Sequence, residues 1–186
     1  MRLFIAIEIP ETIRTAFASL LKDFRALAPQ LKWVRPENLH VTLKFLGETD
    51  PSKLGPLQIA LSGVRSAEPA NLEFRGLGFF PNEHRPRVFW AGLEASANLK
   101  TLAADIDQAV HQLGFTLEER PYAPLLTLAR ISLPIIPPKL RQAIEEKTSQ
   151  TFGSLRAHEF HLIESKLKPA GAEYTTVQSF HFASEA

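Results

Sequence analysis

The segment Leu39-His40-Val41-Thr42-Leu43-Lys44-Phe45 alternates apolar and polar residues without a break. A period of two is the pattern of a strand with one buried and one open face, and it does not suit a helix. His40, Thr42 and Lys44 are therefore expected to share the open face. A degenerate echo follows at Pro124-Leu125-Leu126-Thr127-Leu128-Ala129-Arg130. The echo keeps a threonine, Thr127, but carries Leu125 where the first copy has His40. Arg130 falls on the parity of Leu126 and Leu128, so it reaches the face of Thr127 only if a bulge re-aims it.

The rest of the chain reads as short strands and amphipathic helices. Leu3 to Glu8 is a buried strand, and Pro10-Glu11-Thr12 opens a helix carrying Ile13, Phe17, Leu20, Leu21 and Phe24 at helical spacing. Lys32 to Arg35 is a short strand, and Pro36-Glu37-Asn38 is the turn into the His40 strand. Asp50-Pro51 is read as cap and first residue of a second helix through Leu54, Leu57, Leu61 and Val64. Leu72 to Phe79 and Arg87 to Leu93 form a hairpin around a polar loop, Pro81 to Pro86. Leu99 to Leu113 marks a third helix that stops at Gly114, and Pro134 to Pro138 introduces a fourth. Two final strands lie near Glu159 to Glu164 and Tyr174 to Phe180. This order fits an α+β protein with largely antiparallel sheets.

A chain of 186 residues with 45% apolar content can bury one core without staples. It contains no cysteine, which removes disulfides and thiolate metal sites and fits a reducing cytoplasm. Glu8 and Pro10 cut the apolar opening short of a signal segment, and no later run approaches a membrane span. A net charge of +1 excludes the broad grip of a general duplex binder, so any nucleic-acid partner should be small or held by a local basic pocket. His158 and His161 lie three apart on an expected strand, where they face opposite sides, so no metal is expected there.

A hydroxyl and an imidazole held on one strand face can grip a phosphate oxygen while the imidazole moves a proton. The two segments resemble the paired His-x-Thr motifs of the 2H phosphoesterase superfamily, in its RNA 2′,3′-cyclic phosphodiesterase (2′-5′ RNA ligase-like) branch. Further blocks match in order: Met1 to Ile7, Leu31 to His40, Arg85 to Gly92 and Gly171 to Thr175. The resemblance implies one domain over 1–186, with two pseudo-symmetric lobes, each a small antiparallel sheet backed by helices, around a central groove. It implies a monomeric, cofactor-free and metal-free cytoplasmic enzyme that acts on RNA or nucleotides ending in a 2′,3′-cyclic phosphate. By resemblance His40 donates the proton to the leaving oxygen, and Thr42 and Thr127 hold the phosphate.

Leu125 occupies the place of the second imidazole, the proton acceptor, and can neither take a proton nor orient water. Three readings stay open. The residue is a loss, natural or engineered, on an intact enzyme scaffold; or the protein is a silent nucleotide binder; or Tyr122, His84 or His111 reaches the water. Rejoining ends through a 2′-5′ bond would need the same two proton-transfer groups and is weakened equally. Arg130, Lys44, Arg85 and Arg87 are candidate substrate contacts, with Lys166 and Lys168 as further basic residues, and Trp33 is a candidate base-stacking platform. Trp90 sits among residues expected to be core.

Overall fold

The computed structural model describes residues 1–183. Its strands are β1 (Arg2–Glu8), β2 (Lys32–Trp33), β3 (His40–Glu48), β4 (Ala70–Phe80), β5 (Val88–Ala95), β6 (Leu125–Arg130), β7 (Thr151–Ala157), β8 (Glu159–Lys168) and β9 (Gly171–His181). The helices are α1 (Glu11–Leu27), α2 (Leu54–Ser62), α3 (Ala97–His111) and α4 (Pro138–Glu145). The strands form two antiparallel sheets, ordered β3-β1-β8-β9 and β2-β6-β5-β4-β7. This is the expected α+β arrangement. The sheets are not successive halves of the chain, however: β1 and β3 pair with the C-terminal β8 and β9, and β2 crosses over to pair with β6.

Helices α1 and α4 pack on the five-stranded side, and α2 and α3 pack beside the four-stranded sheet. The apolar stripe of α1 explains its seat. Phe17 meets Phe74 and Phe152 at centroid distances of 5.8 and 4.9 Å, and Phe24 meets Trp33 and Phe89. Burying each such ring contributes about 1.5–3 kcal/mol. A single buried cluster runs through both sheets. A small separate cluster of Phe4, Ala6 and Ile163, with Tyr174 packed on it, lies on the other face of the four-stranded sheet. Among the described residues no helix is long and apolar enough to cross a membrane.

Two local expectations are revised. Asp50-Pro51 does not open an α-helix directly: Pro51–Lys53 forms a 3-10 turn in which the Asp50 carboxylate accepts from Ser52 N at 2.8 Å, and α2 follows. Strand β7 has no counterpart in the sequence reading, because Thr151-Phe152-Gly153-Ser154-Leu155-Arg156-Ala157 is interrupted by glycine and has weak alternation. The reason for that glycine is tertiary. Gly153 has φ +143°, and a Cβ there would stand 2.9 Å from Ile13 Cγ1 on α1.

The two motif strands share an irregularity that their sequences do not announce. In the β1–β3 ladder Ala6 pairs with Thr42 and Ile5 with Lys44, so Leu43 is an extra residue. In the β5–β6 ladder Trp90 pairs with Thr127 and Phe89 with Ala129, so Leu128 is extra. Each bulge directly follows the motif threonine and reverses the parity beyond it. Lys44 and Ala129 turn inward and are buried, whereas Phe45 and Arg130 turn outward onto the face of the threonines.

Candidate active site

His40, Thr42, Leu125 and Thr127 come together across the groove between the sheets. With Arg130 they line a cavity of about 310 Å³, closed by Phe4, Val34, Asn38, Phe45, Ala123 and Tyr174. The β6 bulge thus brings Arg130 to the site. Its guanidinium makes no ion pair among the described residues, and Arg130 is exposed.

The imidazole of His40 is held on three sides. Its Nδ1 lies 2.9 Å from the carbonyl oxygen of Asn38, which can only accept, so Nδ1 carries a hydrogen and Nε2 is left for a substrate. Phe4 presents an edge to the ring at 5.9 Å, and Tyr174 stands at 5.5 Å. Asn38 is itself fixed, donating through Nδ2 to Ala172 O at 2.8 Å, and Arg35 donates to the same carbonyl at 2.6 Å. The β8–β9 turn therefore anchors the entry to β3.

Burial, the largest influence, lowers the His40 pKa below its ordinary value. The Asn38 hydrogen bond and the Glu8 carboxylate pull it back up, while Arg14 and His161 add to the lowering. Glu8 is the ladder partner of His40 across β1 and β3. The result is an imidazole that is neutral near pH 7 and a stronger acid once protonated.

Opposite His40 the site has no polar group from Leu125, and none of the considered substitutes fills the gap. Tyr122 donates its hydroxyl to the carbonyl oxygen of Thr42 at 2.9 Å, and burial raises its pKa well above that of a free phenol. It stays protonated and cannot act as a base. His84 is in the exposed β4–β5 loop beside Glu83, and His111 ends α3 with Nδ1 2.9 Å from Phe115 O; neither lines the cavity.

Several expected substrate contacts lie elsewhere. Lys44 is buried by the bulge, with Nζ 2.7 Å from Asp107, 3.1 Å from Glu118 and 2.7 Å from Thr116 O. A stacking role for Trp33 is corrected: it is 9% exposed, its Nε1 donates to Ala28 O at 2.8 Å, and it packs against Phe24 and Phe89. Arg85 and Arg87 are exposed, but they line a separate cavity with His84 and residues 131–134. Lys166 and Lys168 are exposed near the far end of β8 and do not line the site. Trp90 lies flat over Gly78, where any Cβ would come within 2.3 Å of its ring. His161 is buried with Nδ1 2.8 Å from Ser179 Oγ, and the described residues hold no cluster of acids and histidines suited to a metal ion.

Site residues the sequence reading did not single out are Asn38, Phe4, Phe45, Tyr174, Val34 and Ala123. Asn38, Phe4, Val34 and Tyr174 sit inside the matching blocks, and that was their only signal. Phe45 reads as an inward strand residue until the bulge is known.

A groove between two antiparallel sheets, carrying one imidazole, two threonines and an arginine that makes no ion pair among the described residues, has the donors that handling a phosphoester requires. Residues 7–90 match the family described as LigT like phosphoesterase. The chain is 35% identical over 181 residues to the RNA 2′,3′-cyclic phosphodiesterase of Methanothermobacter thermautotrophicus, covering 97% of this chain and 98% of that one. It is 36% identical over 180 residues to the protein of the same name from Methanocaldococcus jannaschii, covering 97% and 100%. Among solved structures, TT0787 of Thermus thermophilus superposes with a TM-score of 0.80 at 32% identity, and E. coli LigT complexed with 3′-AMP with 0.74 at 26%, each covering 98% of both chains. The chain belongs to the LigT-like phosphoesterase family.

Proposed function

We propose that the protein binds RNA ends bearing a 2′,3′-cyclic phosphate and hydrolyses them to 2′-phosphomonoesters, slowly. The observation that carries this reading is the meeting of β3 and β6, which sets His40, Thr42, Thr127 and Arg130 around one cavity of about 310 Å³. The hydroxyls of Thr42 and Thr127 and the Arg130 guanidinium hold the equatorial oxygens of the phosphate. Water attacks phosphorus in line, the P–O3′ bond breaks, and protonated His40 gives its Nε2 proton to the leaving 3′ oxygen. The proton lost by the water goes to solvent, because Leu125 offers no acceptor.

A positioned acid or base contributes typically ~10² to 10⁴ in rate, so the missing acceptor sets the handicap. The test is Leu125→His. Turnover of a nucleoside 2′,3′-cyclic phosphate should rise at least about a hundredfold. No rise would mean that Leu125 does not face the attacking water. A second reading, a silent module that retains nucleotide termini without turnover, is favoured by the same leucine and by the absence of a substitute base among Tyr122, His84 and His111. Calorimetry with a 2′-phosphorylated nucleotide, set beside an overnight turnover assay, separates the two. A monomer without metal or cofactor is sufficient for either, and a cysteine-free chain handling RNA ends suits the cytoplasm.

A further inference from the structure

Strand β1 is buried on both faces from Leu3 to Ile7 and carries charge only at its ends, Arg2 and Glu8. The β1–β3 register sets Glu8 directly opposite His40, which puts the two Cβ atoms about 4.5–5.5 Å apart. The Glu8 carboxylate is held from the other side of its strand: Thr176 on β9 donates through Oγ1 to Oε1 at 2.9 Å, and Nε2 of His161 on β8 stands 4.0 Å from Oε2. His161 is itself buried and fixed, with Nδ1 2.8 Å from Ser179 Oγ and Nε2 3.7 Å from Glu159 Oε1. This polar row crosses the four-stranded sheet from β3 to β9, and the proposed hydrolysis uses only its first member, His40. The charged and titratable groups that face His40 are Glu8 from β1, Arg14 from α1, His161 from β8, Arg130 from β6 and Tyr174 from β9. Of these only Glu8 carries a carboxylate.

We propose that Glu8 is a positioning residue for the proton transfer: its carboxylate, oriented by Thr176 and His161, is the counter-charge of the His40 imidazolium. The inference rests on the proposed hydrolysis, in which His40 is the proton donor. Neither ring nitrogen is spent on Glu8. Nδ1 is committed to Asn38 O and Nε2 is left for the leaving oxygen, so the carboxylate acts through space and does not compete for the transferred proton. A negative charge beside the ring favours the protonated form, which is the form that donates, and it offsets part of the cost of burying that charge. The same charge repels a phosphate slightly. Glu8 therefore aids the chemical step and not the binding of the substrate. Its side chain is 42% exposed, so water and salt weaken the coupling.

The experiment is an NMR titration of the His40 imidazole in the intact chain, its signal identified by its loss in His40→Asn, set beside kinetics on a nucleoside 2′,3′-cyclic phosphate. Glu8→Gln, which keeps an oxygen for Thr176 but no charge, should lower the His40 midpoint. Turnover at saturating substrate near pH 7 should fall severalfold with KM unchanged or lower, and the deficit should vanish at a pH low enough to protonate His40 in both proteins. Glu8→Asp should recover most of both. Added salt should shrink the difference in midpoint between Glu8→Gln and the unaltered chain. An unchanged His40 midpoint in Glu8→Gln overturns the proposal. So does a turnover deficit that is the same at every pH, which is the mark of a merely structural loss. Should Glu8→Gln not fold, Thr176→Val frees the carboxylate and should lower the midpoint partway; no change there overturns the proposal equally. If His40→Asn leaves turnover intact, the hydrolysis reading itself fails, and Glu8 then has no proton transfer to serve whatever the titration shows.

Discussion

The hydroxyl of Tyr122 donates to the main-chain carbonyl of Thr42 across 80 residues of sequence, at 2.9 Å. Tyr122 stands just ahead of β6, and Thr42 is central in the site-facing part of β3. The bond therefore ties the two threonine-bearing strands, which belong to different sheets, at the level of the phosphate cavity.

Removing that tie should act on the site more than on the fold. Tyr122→Phe is expected to lower unfolding free energy by about 1 kcal/mol, read by urea denaturation. Binding of inorganic phosphate should weaken severalfold as the threonines lose their spacing. Unchanged phosphate affinity would show that the clasp is only structural.

The lowered pKa of His40 gives two pH dependences of known sign. Because the acid form donates the proton, residual turnover should rise as pH falls below 6.5 towards the folded-state value. Stability runs the other way. The unfolded chain binds the His40 proton more tightly, so stability is full above 6.5 and is lost as pH falls through the folded value. His40→Asn should abolish the turnover and flatten part of the change in Tm between about pH 8 and about pH 5.

Restoring the second imidazole should make the two motif positions interdependent. Once Leu125→His has raised turnover, adding His40→Ala should remove nearly all of the gain. Groups that act on opposite ends of one in-line displacement are not additive. Retention of most of the gain, measured under single-turnover conditions, would mean that His40 is not the donor.

The ion-pair network at Lys44 belongs to the interior between β3 and α3, where Lys44 is 3% and Asp107 15% exposed by side chain. Lys44→Met leaves the Asp107 carboxylate without its counter-charge and should cost about 3–5 kcal/mol. Denaturant midpoints check this. A loss below about 1 kcal/mol would mean that water compensates Asp107 fully.

Gly153 tests the contact between β7 and α1. Gly153→Ala combines a positive φ with a Cβ 2.9 Å from Ile13 Cγ1 and should cost about 1–3 kcal/mol. Pairing it with Ile13→Val should recover little, because the backbone strain remains.

Much of the fold was legible because burial leaves a periodic imprint. The 3.6-residue stripe of Ile13, Phe17, Leu20, Leu21 and Phe24 specifies α1, and the alternation from Leu39 specifies β3 and which way His40 and Thr42 face. The threonine in the echo and the leucine beside it were likewise visible as residues. Strand β7 was not, since an edge strand with one glycine leaves little imprint.

The sequence by itself thus determined the element types, the imidazole with its two threonines, and the absence of a second imidazole at Leu125. Only the tertiary structure decided that β1 and β3 join β8 and β9, that Lys44 is interior, and that Phe45 and Arg130 face the groove. The physical reason is parity. One extra residue opposite a partner strand flips every side chain beyond it, and whether that residue is accommodated depends on ladders with β1 and β5, which lie far away along the chain.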